Sequence, residues 1–239
     1  MISANQPVNP GIVSVENSNK LLTTSDGSST LLNSNTGETY HSMEGAVMES
    51  KHVYVSPTFD TFKNREKINI LEVGFGTGLN TLITFLESGK SNIAVYYETL
   101  EPYPIPESAW STLNYPCILG GEEQFSGFHK CKYDTFVEYQ HFVFVKRCCK
   151  IEDFVSDNHF DAVYFDAFSP NVQPEMWTVE IFNKIYQLLN NKGILLTYSA
   201  KGIVKKALRN AGFKVVRLNG AGHKHHMLKA IKHEIITDF

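Results

Sequence analysis

Nothing in the sequence approaches the roughly 20 consecutive apolar residues needed to cross a bilayer, so no transmembrane helix is expected. A basic start followed by an apolar stretch is also missing. Met1 to Lys20 is polar, which argues against a secretory leader and for a cytoplasmic protein. The four cysteines, Cys117, Cys131, Cys148 and Cys149, form neither a CxxC pair nor a dense framework. They are expected to be incidental thiols, with no disulfide scaffold and no metal. Acidic residues are absent between Ile181 and His233, although the chain carries 25 Asp and Glu and a net charge of −3. The same stretch holds eleven Lys or Arg, from Lys184 to Lys232, so the part before it is clearly acidic. A basic end on an acidic body suits a polyanionic partner, and solvated helix faces would give the same pattern.

Within 239 residues, 42% of them apolar and 20% charged, there is room for one α/β domain and a short extension. Residues 1–66 are rich in Ser, Thr, Asn and Gly, with turn signals at Asp26-Gly27 and Asn35-Thr36-Gly37. They read as a polar start, a β-hairpin and a short helix near Gly45 to His52, too small to bury a core of their own. Residues 67–239 alternate strand and helix. Strands are expected at Ile68–Val73, Ile93–Leu100, Phe142–Val145, Ala162–Phe165 and Ile194–Tyr198, with helices at Leu79–Glu87, Val179–Leu189 and Ile203–Ala211. Lys214–Leu218 and Met227–Ile231 read as a closing antiparallel hairpin. Repeated βα units predict a Rossmann-like, mostly parallel sheet with one antiparallel strand and helices on both faces.

The first strand runs into Glu72-Val-Gly74-Phe-Gly76-Thr-Gly78 and the loop opens a helix, the context of a nucleotide-type ligand. The glycines fall at i, i+2 and i+4. A dinucleotide fingerprint needs the third at i+5, where Leu79 stands, and no Gly-Lys-Ser/Thr follows. The spacing fits S-adenosylmethionine, with Glu72, Gly74, Phe75, Gly76, Thr77, Gly78 and Asn80 as the cofactor segment. Glu101, after the second strand, stands where a carboxylate can accept both ribose hydroxyls. The fourth strand ends in Asp166-Ala-Phe168-Ser-Pro170, followed by Pro174-Glu-Met-Trp177. An acid at that edge, joined by aromatic and proline residues, can hold an amine acceptor near a sulfonium methyl. Phe168, Pro170 and Trp177 are therefore acceptor-side candidates, with core packing the alternative for the aromatics. Tyr40 and Tyr198 can close over acceptor or sulfonium, which suits an aromatic face, and core packing is again the alternative.

These segments resemble the methyltransferase part of the MnmC family, in a stand-alone form, from about Thr23 to Lys229. The likeness rests on Tyr40-His-Ser42 with Gly45 and Glu49-Ser50, and on Gly74-Phe-Gly76-Thr-Gly78-Leu-Asn80. It continues through Leu100-Glu-Pro-Tyr-Pro104, Asp166 to Trp177, Thr197-Tyr-Ser199, and Gly220-Ala-Gly-His-Lys224 with Met227. The resemblance implies methyl transfer from S-adenosylmethionine to the amine of 5-aminomethyl-(2-thio)uridine at the tRNA wobble position. It makes Asp166 the catalytic candidate, as base or as orienting group, beside Tyr40 and Tyr198. It places an adenine-contacting acid after the third strand, where this chain has Lys150, so Glu152 or a backbone amide is expected to substitute. The anticodon arm would meet Lys201, Lys205, Lys206, Arg209 and Lys224. Fuller members carry a flavin-dependent domain that frees the amine; here a separate enzyme would supply it, and the protein is expected to be a monomer. Two other readings stay open. One is a methyl- or aminopropyl-transferase acting on a small amine; the other is a non-catalytic module binding cofactor or RNA.

Overall fold

The computed structural model describes residues 19–220 and 226–233. Seven strands and a hairpin partner build one sheet of eight, in the order β5-β6-β4-β3-β7-β8-β10-β9. At its centre are β3 (Lys67–Val73), β4 (Ala94–Leu100), β6 (Phe142–Arg147), β7 (Phe160–Phe165) and β8 (Leu189–Thr197), all parallel. Alternate residues of β3 enter opposite cores: Ile68 and Ile70 one side, Leu71 and Val73 the other. Both faces are covered, which is why these strands read as near-continuous apolar runs.

Two strands oppose the rest rather than one. The closing hairpin of β9 (Lys214–Asn219) and β10 (His226–Ile231) sets β10 antiparallel to β8, as expected. The second, β5 (Phe136–Tyr139), returns through a tight connection onto β6 and was not legible. It has four residues, half of them exposed, so it lacks an apolar run to announce it. Three short helices before it were missed for the same reason: α4 (Glu107–Trp110), α5 (Tyr115–Leu119) and α6 (Glu122–Lys130). The first two, of four and five residues, are too short to display a 3.6-residue repeat, and α6 buries only Phe125 and Phe128.

The sheet faces are closed by α3 (Leu79–Ser91) on one side and by α7 (Val179–Leu188) and α8 (Gly202–Asn210) on the other. Ahead of the sheet, β1 (Asn19–Thr23) and β2 (Ser29–Asn33) form the N-terminal hairpin. Its turn is tied to the next helix, because Asp26 accepts the backbone N–H groups of Ser28 and Met48. That helix exceeds the expected span. It starts as α1 (Ala46–Ser50), widens into a π-helical turn at Lys51–Val55, and continues as α2 (Ser56–Phe62). Pro57 follows the widened turn; it has no N–H to return and crowds the carbonyl four residues back. Val53, Tyr54 and Val55 are all buried, in the core that also holds Ile68, Ile70 and Tyr97. The N-terminal segment thus shares the core of the sheet domain. No helix among the described residues is long and apolar enough to cross a membrane.

Candidate active site

Strand order reverses around β3, whose neighbours β4 and β7 leave it in opposite directions. The crevice beyond the carboxyl ends of such strands is where doubly wound sheets take ligands. Here it is a cleft of about 1010 Å³, walled by the glycine loop, the ends of β4, β6, β7 and β8, and the segment after β2.

The loop needs its glycines because the chain passes close to other groups. Gly74 has φ +98°, and a Cβ there would lie 2.7 Å from the carbonyl oxygen of Asp166. Its absence lets β3 and β7 end side by side. Gly78, at φ +75°, would meet Nε2 of His129 and Cζ of Phe75 at 2.9 Å. His129 itself lies flat on Trp110, with ring centroids 4.7 Å apart, and its Nε2–H donates to the Thr77 carbonyl at 3.1 Å. Burial pushes His129 down to about 3, so it supports the loop as a neutral ring. From the other side His41 Nε2 shares a 2.7 Å hydrogen bond with the Thr77 hydroxyl.

Glu101 carries the loop from below. Oε2 accepts the Gly76 N–H and Oε1 the Tyr103 N–H, each at 2.9 Å. Burial raises its pKa, opposed by those two amides and by Lys146. Each oxygen retains a second lone pair for a hydroxyl.

Asp166 sits at the end of β7 with a donor on each oxygen. Tyr54 Oη donates to Oδ1 at 2.7 Å and Asn80 Nδ2 to Oδ2 at 2.8 Å. Asn80 is fixed in turn by Ser50, whose hydroxyl donates to its Oδ1 at 2.5 Å. Around Asp166 stand Tyr198, donating to the Ala167 carbonyl at 2.9 Å, and Tyr40, edge-on to Phe168 at 5.1 Å. Burial and Glu101 push Tyr40 up to about 12; burial and Asp166 hold Tyr198 well above the usual phenol range. Glu38 closes this end by accepting from both the hydroxyl and the N–H of Ser169, and Glu49 accepts the Ser42 N–H at 2.7 Å.

Of the residues singled out in the sequence, Tyr40, Gly74, Phe75, Gly76, Thr77, Asn80, Glu101, Glu152, Asp166, Phe168 and Tyr198 line the cleft. Four others stand behind its wall. Glu72 is fully buried under the loop, accepting from Thr99 at 2.7 Å and Thr81 at 3.2 Å, and burial pushes it up to about 8. Gly78 is packed against Phe75 and His129, and Pro170 is buried. Trp177 is core: its ring meets Phe165 at 5.0 Å and its Nε1–H donates to the Phe168 carbonyl at 2.9 Å. Lys201, Lys205, Lys206 and Arg209 lie at and along α8, Lys201 reaching Asn171 Oδ1 at 2.8 Å. Lys224 lies outside the described residues. Lys150 and Glu152 both border the cleft, so this side of it has a cation and an acid within two residues.

Tyr54, Ser50, Glu38 and His129 were not assigned from sequence. Glu49-Ser50 formed part of the family resemblance, but nothing local marked Tyr54, whose partner is 112 residues away.

The cleft fits S-adenosylmethionine in its donor set: a carboxylate for two hydroxyls, a glycine loop, and aromatic faces for a sulfonium. A family model described as S-adenosyl-L-methionine-dependent methyltransferase matches residues 128–233. Among curated relatives, the tRNA 5-methylaminomethyl-2-thiouridine biosynthesis bifunctional protein MnmC of Campylobacter hominis is 27% identical over 208 residues. That alignment takes in 84% of this chain and 31% of the relative. The protein of the same name from Pseudomonas syringae pv. syringae is 30% identical over 211 residues, or 80% and 31% of the two chains. The chain therefore spans about a third of the length of these relatives. The crystal structure of MNMC2 from Aquifex aeolicus superposes with a TM-score of 0.78 at 27% identity, covering 92% of this chain and 72% of that one. Spermidine synthase from Thermotoga maritima, with a TM-score of 0.52 at 16% identity, covers 89% and 72% and shows the fold alone. With its glycine-loop cleft and these alignments together, the chain is similar to S-adenosyl-L-methionine-dependent methyltransferases, and over most of its length to the methyltransferase part of MnmC proteins.

Proposed function

We propose that this protein methylates the primary amine of 5-aminomethyl-(2-thio)uridine at the tRNA wobble position, giving 5-methylaminomethyl-(2-thio)uridine. The observation that carries the reading is the clamped Asp166 facing a cleft of the methyltransferase type, in a chain aligned over 80% of its length with MnmC proteins. S-adenosylmethionine, when bound, supplies an electrophilic methyl group on a sulfonium sulfur. Glu101 and the loop amides would hold its ribose and methionine ends, with Glu152 or backbone near the adenine.

The acceptor nitrogen forms the new N–C bond as the S–C bond breaks, and it sheds one proton. An alkylamine with a pKa near 10 is free base in only about one molecule in a thousand at neutral pH, at a cost of roughly 4 kcal/mol. Asp166 first attracts the ammonium form, then orients the nitrogen or takes its proton as the lone pair turns to the methyl. Tyr40 and Tyr198 keep their phenolic protons and offer neutral faces to the reacting groups. The exposed cations on α8 are suited to phosphates of an anticodon arm, from which a loop uridine can be extruded.

The test is transfer of labelled methyl to tRNA bearing 5-aminomethyl-uridine, beside tRNA lacking that group. Label on the first alone is expected. Equal label on both, or none, removes the proposal.

A further inference from the structure

Tyr54 belongs to no recognised motif and does not border the cleft, yet it makes a direct hydrogen bond to the acid at the centre of the site. It occupies the π-helical turn Lys51–Val55, only 1% exposed. The turn buries Val53, Tyr54 and Val55 together, and single π turns are frequent at functional sites. The same helical run brings Ser50, which fixes Asn80 against the other oxygen of Asp166. One N-terminal element thus holds the carboxylate from both sides.

We infer that Tyr54 is a positioning residue for methyl transfer, which keeps Asp166 an oriented carboxylate where it borders the cleft. This rests on the reading that Asp166 meets the acceptor amine. Both neighbours are neutral donors, a pairing that favours the ionised acceptor. The phenol keeps its own proton, since burial and the field of Asp166 hold it well above its ordinary value. The other titratable groups around this point are Glu49 from α1, Glu72 from β3, Tyr198 after β8, and Glu38 from the turn following β2. Most of these are acids, which oppose a charge on Asp166. Removing one donor therefore eases its protonation and loosens its orientation.

Tyr54→Phe keeps the ring and its contact with Tyr164, 5.4 Å between centroids. With aminomethyl-uridine tRNA it should lower kcat about tenfold to a hundredfold, the range for a hydrogen bond to a charged group. KM for S-adenosylmethionine should stay unchanged, and the acid limb of the kcat profile should move to higher pH. A purely structural tyrosine would not move that limb. Replacing Tyr54 by 3-fluorotyrosine, a stronger donor of the same shape, should move it to lower pH, and this variant decides the matter if the phenylalanine protein fails to fold. A wild-type acid limb and kcat in the phenylalanine variant, or an unmoved limb in the fluorotyrosine one, overturns the inference alone. Failure of the wild-type protein to label that tRNA would overturn the functional reading and this inference with it.

Discussion

Glu101 and Asp166 differ in what their oxygens already hold. Glu101 is bonded by two backbone amides, one from its own loop and one from the glycine loop, whereas Asp166 is bonded by two side chains from distant elements. Glu101→Gln should weaken S-adenosylmethionine binding by about tenfold or more, since a charged acceptor is removed and one amide faces an NH2 group; calorimetric titration measures it. Asp166→Asn should leave that affinity within about threefold while turnover falls by about a hundredfold. Two further residues set opposite pH limits on stability. Glu72, at 4.5 when unfolded and about 8 when folded, takes up a proton on folding, so its contribution is lost as pH rises from 4.5 to 8. His129, at 6.5 unfolded and about 3 folded, releases one, so its contribution is lost as pH falls below 6.5. Thermal unfolding across pH should therefore be most resistant between about 4.5 and 6.5 where only these two groups titrate. Glu72→Gln should flatten the alkaline decline, and a decline of undiminished slope would contradict it.

The short 3-10 turn Pro174–Trp177 shows how one element serves the site without touching it. Trp177 packs on Phe165 and Tyr198 from behind and holds the Phe168 carbonyl, so it shapes the wall from which Phe168 faces the cleft. Trp177→Ala should cost about 3–5 kcal/mol in denaturant unfolding, as for other buried aromatics, with little change in S-adenosylmethionine affinity of the folded protein. The same division separates elements legible in sequence from those that were not. β3, β7 and α3 carry their own apolar pattern, and a glycine bounds β3 and α3, so they could be read directly. The π turn and β5 could not, since their form depends on what they pack against.

Across the whole molecule, acidic and basic regions are segregated along the chain, and Lys201, at the start of α8, reaches Asn171 in the loop whose Ser169 and Val172 border the cleft. Affinity for tRNA should fall linearly with the logarithm of salt concentration in a filter-binding series. Replacing Lys201, Lys205, Lys206 and Arg209 by Gln should make that slope shallower by roughly one unit for each phosphate no longer neutralised. An unchanged slope would place the RNA elsewhere. Sequence alone determined the parallel sheet, the i, i+2, i+4 glycine loop, and the acids Glu101 and Asp166, because each is encoded by residues within a few positions of one another. Tertiary structure decided that Glu72, Pro170 and Trp177 stand behind the wall and that Tyr54 and Asn80 clamp Asp166. Burial and hydrogen bonding between residues as much as 112 positions apart depend on how helices settle on the sheet, which no local pattern records.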